Sequence, residues 1–273
     1  MREMSIQEMR TVQMDLLDRF DRACKENGLT YSLCGGTLIG AVRHGGYIPW
    51  DDDIDVMMPR PDYDRFIRLR FEEPYLLEAP ELLGKEKTYV YMYAKLYNTG
   101  TVLIEDPHMK RLESHVYIDV FPLDAIADDQ ETWEKEFYRI RKHIWNYITM
   151  EQADSFLQVK GLSLPRKVKW HAASIRRKLL PARDDYYKAL EIIRSRDYDS
   201  ARFTGHPLSE ARPLYRYPKE IMIMDNHVVF EGKEYSAMHD YEAFLRIHYG
   251  DYMQLPPEEE RVRHDNIAWF LDD

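Results

Sequence analysis

Gly35-Gly36-Thr37-Leu38-Ile39-Gly40-Ala41-Val42-Arg43-His44-Gly45-Gly46-Tyr47-Ile48-Pro49-Trp50-Asp51-Asp52-Asp53-Ile54-Asp55-Val56 sets two glycine pairs ahead of four aspartates crowded into five positions. Leu29 to Leu33, with Tyr31 and Leu33 on one face, is expected to be a strand that ends in a tight turn at Gly35-Gly36. Thr37 to Arg43 fits two helical turns closed by Gly45-Gly46, and Asp53 to Met58, before Pro59, fits a second strand. Side chains two apart on a strand share a face, so Asp53 and Asp55 can chelate one hard cation while Ile54 faces the core. Mg²⁺, with Mn²⁺ as the alternative, suits that chemistry, because it is held by one or two carboxylates together with substrate phosphates. Four aspartates this close repel one another unless a cation lies among them. A solvated acidic turn is the bland alternative. Glycines at a strand end let backbone N–H groups approach phosphate oxygens, and a following helix N-terminus adds a favourable dipole.

Working outward, Ser5 and Glu8 form a capping box, and Met9, Val12, Leu16, Leu17, Phe20 and Cys24 recur at helical spacing up to Gly28. Asp62 to Arg70 is a further expected helix. Thr88 to Leu96 and Thr101 to Glu105 flank Asn98-Thr99-Gly100 as a hairpin, and His115 to Phe121 forms a third extended segment. Helical periodicity then takes over near Asp129 to Met150, Pro165 to Leu180 and Asp184 to Arg196. Asn226 to Phe230 and Lys233 to Ala237 flank Glu231-Gly232 as a second hairpin before a helix from about Met238 to Tyr249. The expected division is a core over 1–124, a mainly helical insert over 125–218 that forms a second lobe, and a C-terminal hairpin and helix over 219–273 packing back on the core. The fold class is α+β, a mixed sheet flanked by helices.

With 273 residues and 44% hydrophobic content the chain can bury a substantial core. A mean hydropathy of -0.59 and the lack of a long apolar run argue against a membrane span. No secretory signal is visible in the first residues, so the expected location is cytoplasmic, with the inner membrane face as a second option. Cys24 and Cys34 are too few for a disulfide framework and read as buried small side chains. The formal charge of -10, from 38 basic and 48 acidic residues, disfavours nucleic acid as the main partner. From Ser155 to Arg183, however, there is no acid, and Lys160, Arg166, Lys167, Lys169, Arg176, Arg177, Lys178 and Arg183 all fall there. A basic helix across 160–183 bearing Val168, Trp170, Ile175 and Leu179 suits peripheral contact with an anionic membrane or a phosphorylated acceptor; a solvated helix face is the alternative.

Gly-Gly followed by a short helix and an Asp-x-Asp strand resembles the pattern of the nucleotidyltransferase superfamily, in which a third carboxylate arrives from a neighbouring strand. Asp119 fits that description, lying between Ile118 and Val120 where an uncompensated carboxylate is costly. An arginine or backbone amide that satisfies Asp119 is the competing reading. More narrowly, Gly35 to Val56 resembles the signature of the LicD family, related to fukutin. Tyr117-Ile118-Asp119-Val120-Phe121-Pro122-Leu123-Asp124 is similar to its second block. Tyr249-Gly250-Asp251-Tyr252-Met253, Leu255-Pro256-Pro257 and Arg261 to His264 resemble its C-terminal block. Little resemblance is visible over 125–218.

The resemblance implies transfer of a phospho-alcohol, typically phosphocholine from a CDP-alcohol donor such as CDP-choline. The acceptor is a hydroxyl of a surface glycan or teichoic-acid precursor, lipid-linked in one version, and CMP is released. Asp53, Asp55 and Asp119 are then the metal and catalytic acids, with Asp119 either joining the ion or accepting the acceptor's proton. Gly35, Gly36 and Thr37 are expected at the phosphates, with Arg43 and His44 as phosphate contacts or merely as groups closing a helix. Trp50 stacks on a base, faces a quaternary ammonium, or simply packs. Asp51, Asp52 and Asp124 are expected to orient ligands or a lysine such as Lys95, while Arg261 and His264 return to the site from the C-terminal block. Tyr89, Tyr91, Tyr93 and Tyr97 alternate on an expected strand as a sugar-binding face or as ordinary sheet packing. Two other functions stay open: a nucleotidyltransferase that attacks the alpha phosphorus and releases pyrophosphate, and an inactive nucleotide- or carbohydrate-binding module.

Overall fold

A computed structural model of the chain describes residues 1–83, 89–104, 113–153, 157, 163–179, 183–208, 215–261 and 266–271. In chain order the elements are β1 (Arg2–Glu3), α1 (Ile6–Asn27), β2 (Ser32–Leu33), α2 (Gly35–His44), β3 (Asp55–Pro59), α3 (Arg60–Phe66), β4 (Tyr75–Glu78), β5 (Ala94–Ile104), β6 (Glu113–Ile126) and α4 (Gln130–Glu151). There follow α5 (Leu164–Leu179), α6 (Arg183–Arg194), β7 (Phe203–Gly205), β8 (Tyr217–Pro218), β9 (Asn226–Phe230), β10 (Lys233–Ala237), α7 (Tyr241–Tyr249) and β11 (Ile267–Phe270).

Nine of the strands form one mixed sheet whose main path runs β1-β11-β5-β6-β3-β2. Its centre is the long strand β6, antiparallel to β5 and parallel to β3. The fold is therefore α+β, a mixed sheet flanked by helices. α1 forms where the pattern requires it: Ser5 caps the N–H of Glu8 in a reciprocal box, and Gly28, at φ 59, ends the helix. Its stripe of Leu16, Leu17, Phe20 and Cys24 is buried in the main core, which also takes in Ile54, Val56, Ile118 and Val120 from the sheet. Each such side chain contributes about 1.5–3 kcal/mol on burial. A second apolar cluster joins α4 to α6 through Ile140, Ile144, Tyr186 and Leu190. The C-terminal hairpin β9–β10 pairs across Glu231-Gly232 as expected. Cys24 and Cys34 are buried free thiols.

Several local expectations give way to tertiary pairing. Asn98-Thr99-Gly100 does not reverse the chain: it is a bulge inside the single strand β5, because Asn98 and Leu103 on either side pair with Val116 and Ser114 of the same neighbour. Turn chemistry is satisfied within the strand, where Asn98 Oδ1 accepts the Gly100 N–H at 2.9 Å and the Thr101 hydroxyl donates to Asn98 O at 2.7 Å. Thr88 and Glu105, the outer ends of the expected hairpin, lie outside the described residues. Tyr89, Tyr91 and Tyr93 do not alternate on a strand, since β5 begins at Ala94; only Tyr97 does. α2 starts at Gly35 rather than Thr37, with Cys34 at its N-cap, so the first glycine pair opens the helix instead of preceding it. α3 ends at Phe66 and β2 shrinks to two residues.

Candidate active site

Parallel pairing of β3 with β6 sets Asp55 directly beside Asp119, and antiparallel pairing of β5 with β6 sets Lys95 on the other side of Asp119. Three strands thus deliver acid, acid and base in one row across the sheet. The ladder begins just before β3, where the Asp119 N–H donates to Ile54 O at 2.9 Å, so Asp53 and Asp55 flank a residue already in register. The Thr37 hydroxyl accepts the N–H of Asp55 at 2.9 Å, which locks the start of α2 to the start of β3. Burial, followed by the charges of Asp53, Asp119 and Asp51, holds the Asp55 carboxyl well above the usual carboxylate range, and Lys95 pulls the other way. The same surroundings push up the buried Cys34 thiol: burial first, then Asp55, Asp119 and Asp53.

Lys95 is only 1% exposed, and its Nζ lies 2.7 Å from Asp119 Oδ1. Aromatic rings enclose that ammonium, with Tyr117 3.2 Å, Tyr91 4.2 Å and Tyr93 5.8 Å from Nζ to the ring centroids. The Tyr93 hydroxyl reaches Asp119 Oδ2 at 3.5 Å. Tyr117 is a residue that sequence reasoning passed over at the site, although its place two positions before Asp119 puts it on the same face of β6. Tyr249, at the end of α7, is another: it is 43% exposed as a residue, yet desolvation of its phenol, then Cys34, Asp55 and Asp51, keep that group above its ordinary range.

The glycines of the first pair carry no side chain because the carboxylates lie where one would be. A Cβ on Gly35 would come 2.5 Å from Asp55 Oδ2, and Gly35 also holds φ +56. A Cβ on Gly36 would fall within 3 Å of an Asp51 carboxylate oxygen. The second pair serves the fold instead. Gly45 caps α2, and Gly46 leaves room for the Glu231 carboxylate, which accepts the Tyr47 N–H at 3.0 Å and so docks the C-terminal hairpin.

The remaining expected residues divide between anchoring and a second group beside the acids. Asp52 is buried, accepts from Asn266 Nδ2 at 3.2 Å and receives Gln13 Nε2 on its carbonyl at 2.7 Å, tying α1 and the C-terminal segment to the acidic stretch. Arg43 donates to Tyr252 O at 2.6 Å, and His44 stands edge-on to Trp50 at 6.5 Å. Arg261 lies over the Trp50 ring at 4.6 Å and donates to Pro256 O at 3.2 Å. Asp124 does not orient Lys95: it is fully buried in a two-point pair with Arg60, at 2.5 and 3.0 Å. Five positions from Asp119, it faces the opposite side of β6. His264 lies outside the described residues.

Among the described residues, no three His, Cys, Asp or Glu side chains already stand as a formed metal-ligand cluster. The chemistry of the acids nevertheless fits a hard divalent cation: Asp53, Asp55 and Asp119 are oxygen donors, and Asp55 is raised by burial and then by its like-charged neighbours, whose repulsion a cation among them would relieve.

Comparison with known proteins finds that residues 28–152 match the family described as LicD/FKTN/FKRP, nucleotidyltransferase domain. The chain is 29% identical over 272 residues to the lipopolysaccharide cholinephosphotransferase LicD of Haemophilus influenzae, covering 97% of each. A 46-residue stretch is 46% identical to the human ribitol 5-phosphate transferase FKRP, covering 17% of this chain and 9% of that one. An uncharacterized protein of Rickettsia typhi, RT0683, is 28% identical over 118 residues, 43% of this chain and 34% of its own length.

Proposed function

We propose that this chain, which resembles the LicD family, transfers a phospho-alcohol, phosphocholine first, from a CDP-alcohol to a hydroxyl of a cell-surface glycan. Lipopolysaccharide is the leading acceptor, since the full-length relative carries that name, and a teichoic-acid precursor is the alternative. The observation that carries the reading is the register of Asp55 with Asp119, next to the Gly35-Gly36 opening of α2.

Asp53, Asp55 and Asp119 would hold Mg²⁺, or Mn²⁺, and the ion when bound supplies neutralising charge at the diphosphate. Lys95 supplies the counter-charge to Asp119 from behind, with the Tyr117 ring packed over its ammonium. The positive end of α2, whose glycines let the Asp55 and Asp51 carboxylates pack against its backbone, favours a phosphate oxygen beside those acids. The chain's task is positional: it holds the acceptor oxygen in line, so that the new O–P bond forms as the bond from that phosphorus to the oxygen leaving with CMP breaks. Arg261 and Trp50 form a flat cationic and aromatic face beside the acids, suited to a nucleotide base.

The test incubates the purified chain with Mg²⁺, a panel of CDP-choline, CDP-ethanolamine, CDP-glycerol and CDP-ribitol, and lipopolysaccharide, and follows CMP. Acceptor-dependent CMP release that Asp55→Asn abolishes supports the proposal. Pyrophosphate release from a nucleoside triphosphate would point instead to nucleotidyl transfer, and binding without turnover to an inactive module.

A further inference from the structure

The helix α5, Leu164–Leu179, lies in the acid-free stretch of a chain whose formal charge is -10. Its inner side is small: Ala173 and Ser174 are buried. The outer side is apolar. Leu164, Val168, Ile175 and Leu179 are 75, 62, 59 and 76% exposed, where a solvated helix face would carry charge. Spaced by four, seven and four, these residues fall within roughly 60° of arc on a helix of 3.6 residues per turn. His171 and Ala172, also exposed, fill the middle of the stripe.

Cations border that stripe on both flanks. Lys167 lies on one side and Lys169 with Arg176 on the other, all exposed, and Arg176 also reaches Asp185 at 3.4 Å. Two rings on the neighbouring α4 add to the same region of surface: Trp145, 57% exposed, has the Lys169 Nζ 5.4 Å from its centroid, and Tyr138, 62% exposed, lies two turns earlier on the same face of α4. An apolar stripe flanked by lysine and arginine, with amphipathic rings beside it, is the pattern of a helix lying in the plane of a bilayer surface. Among the described residues no helix is long and apolar enough to cross a membrane.

We infer that the outer face of α5 docks on an anionic lipid bilayer, with Leu164, Val168, Ile175 and Leu179 entering the headgroup region and Lys167, Lys169 and Arg176 meeting lipid phosphates. Charge complementarity selects this occupant: in a chain of formal charge -10, the stretch from Ser155 to Arg183 carries eight lysines and arginines and no acid. The inference is independent of the proposed reaction, because α5 carries none of the residues assigned to it.

The experiment is co-sedimentation of the full chain with vesicles of phosphatidylcholine alone or with about 30% phosphatidylglycerol, at two salt concentrations. The expected result is partitioning at least about tenfold stronger on the anionic vesicles, weakening as salt rises. Val168→Asp with Ile175→Asp, and separately Lys167→Glu with Lys169→Glu, should each lower it about tenfold or more while the melting temperature holds. Hydrogen exchange of the unaltered chain gives a second readout that needs no variant, with protection expected over 164–179 when anionic vesicles are added. Absence of binding, equal binding to neutral vesicles, variants that bind like the parent, or protection elsewhere but not over 164–179 would each overturn the proposal. Docking of another protein on this face would follow only from the first of these.

Discussion

Lys95 and Asp119 stand opposite each other across the β5–β6 ladder, with Nζ 2.7 Å from Oδ1 and both side chains nearly sealed from solvent. A buried pair of this kind contributes little relative to an apolar substitute, but losing one partner leaves a charge uncompensated. Lys95→Met is therefore expected to cost about 3–5 kcal/mol in chelator, judged by urea unfolding. If Asp119 belongs to a cation site, Mg²⁺ should raise the stability of Lys95→Met by more than that of the parent, since the ion would become the main counter-charge. An equal Mg²⁺ increment in both proteins would separate Asp119 from the ion.

Gly35 and Gly28 both hold positive φ, at +56 and +59, but differ in what surrounds them. Alanine at either position should cost about 1–2 kcal/mol through the left-handed backbone alone. At Gly28 nothing lies within 4 Å of the added Cβ, whereas at Gly35 the Asp55 carboxylate must move. Gly35→Ala is thus expected to lower CMP release by about 100-fold, because a displaced catalytic group of this kind costs that much. Gly28→Ala should leave turnover per folded molecule unchanged. Steady-state rates paired with thermal melts distinguish the two, and a similar loss of rate in both would show that only stability is being read.

Local chemistry made part of this architecture legible in advance. α1 follows from Ser5, Glu8, its apolar stripe and Gly28, all within one segment, and the hairpin β9–β10 follows from Glu231-Gly232 between two alternating runs. The row of Asp55, Asp119 and Lys95 rests on strand order, which no short window contains: Asp119 became a candidate only through a family resemblance, and its pairing with Lys95 depends on a register set by the whole sheet. The same limit hid the role of Gly46, whose reason to be glycine is Glu231, a side chain that bonds Tyr47 from 184 positions further on. At Asn98-Thr99-Gly100 the local signal was real but β6 overrode it, because a continuous partner strand on both sides outweighs a turn preference.

Arg60 and Asp124 form a second sealed ion pair, on the opposite face of β6 from the acids. Burial works against the Arg60 charge, yet attraction and hydrogen bonding from Asp124 outweigh it and keep its pKa above the ordinary value. Asp124→Asn is expected to destabilise by about 3–5 kcal/mol, and Arg60→Met with Asp124→Leu together by much less than the two single changes added. Urea titrations of the two singles and the double test this directly. Turnover of folded Asp124→Asn should match the parent, in contrast to Asp119→Asn; a selective loss of turnover at Asp124 would return it to the site.

His206 should give the chain a distinct acid sensitivity. Burial, then the nearby charge of His248, lowers its pKa from 6.5 to about 4. Between those values the unfolded chain binds a proton that the native chain refuses. Stability from this group is therefore complete above about pH 6.5 and is lost as pH falls toward 4, by roughly 3 kcal/mol at most. Asp55 acts with the opposite sign: its raised pKa makes the metal-free native chain bind a proton that the unfolded chain has released, so acidification stabilises through that group. Comparing the parent with His206→Gln cancels the Asp55 contribution, which both share. The difference in unfolding free energy, measured by urea titration from pH 7 to pH 4.5, is expected to shrink steadily as pH falls. A difference that stays constant across that range would mean that His206 titrates alike in both states.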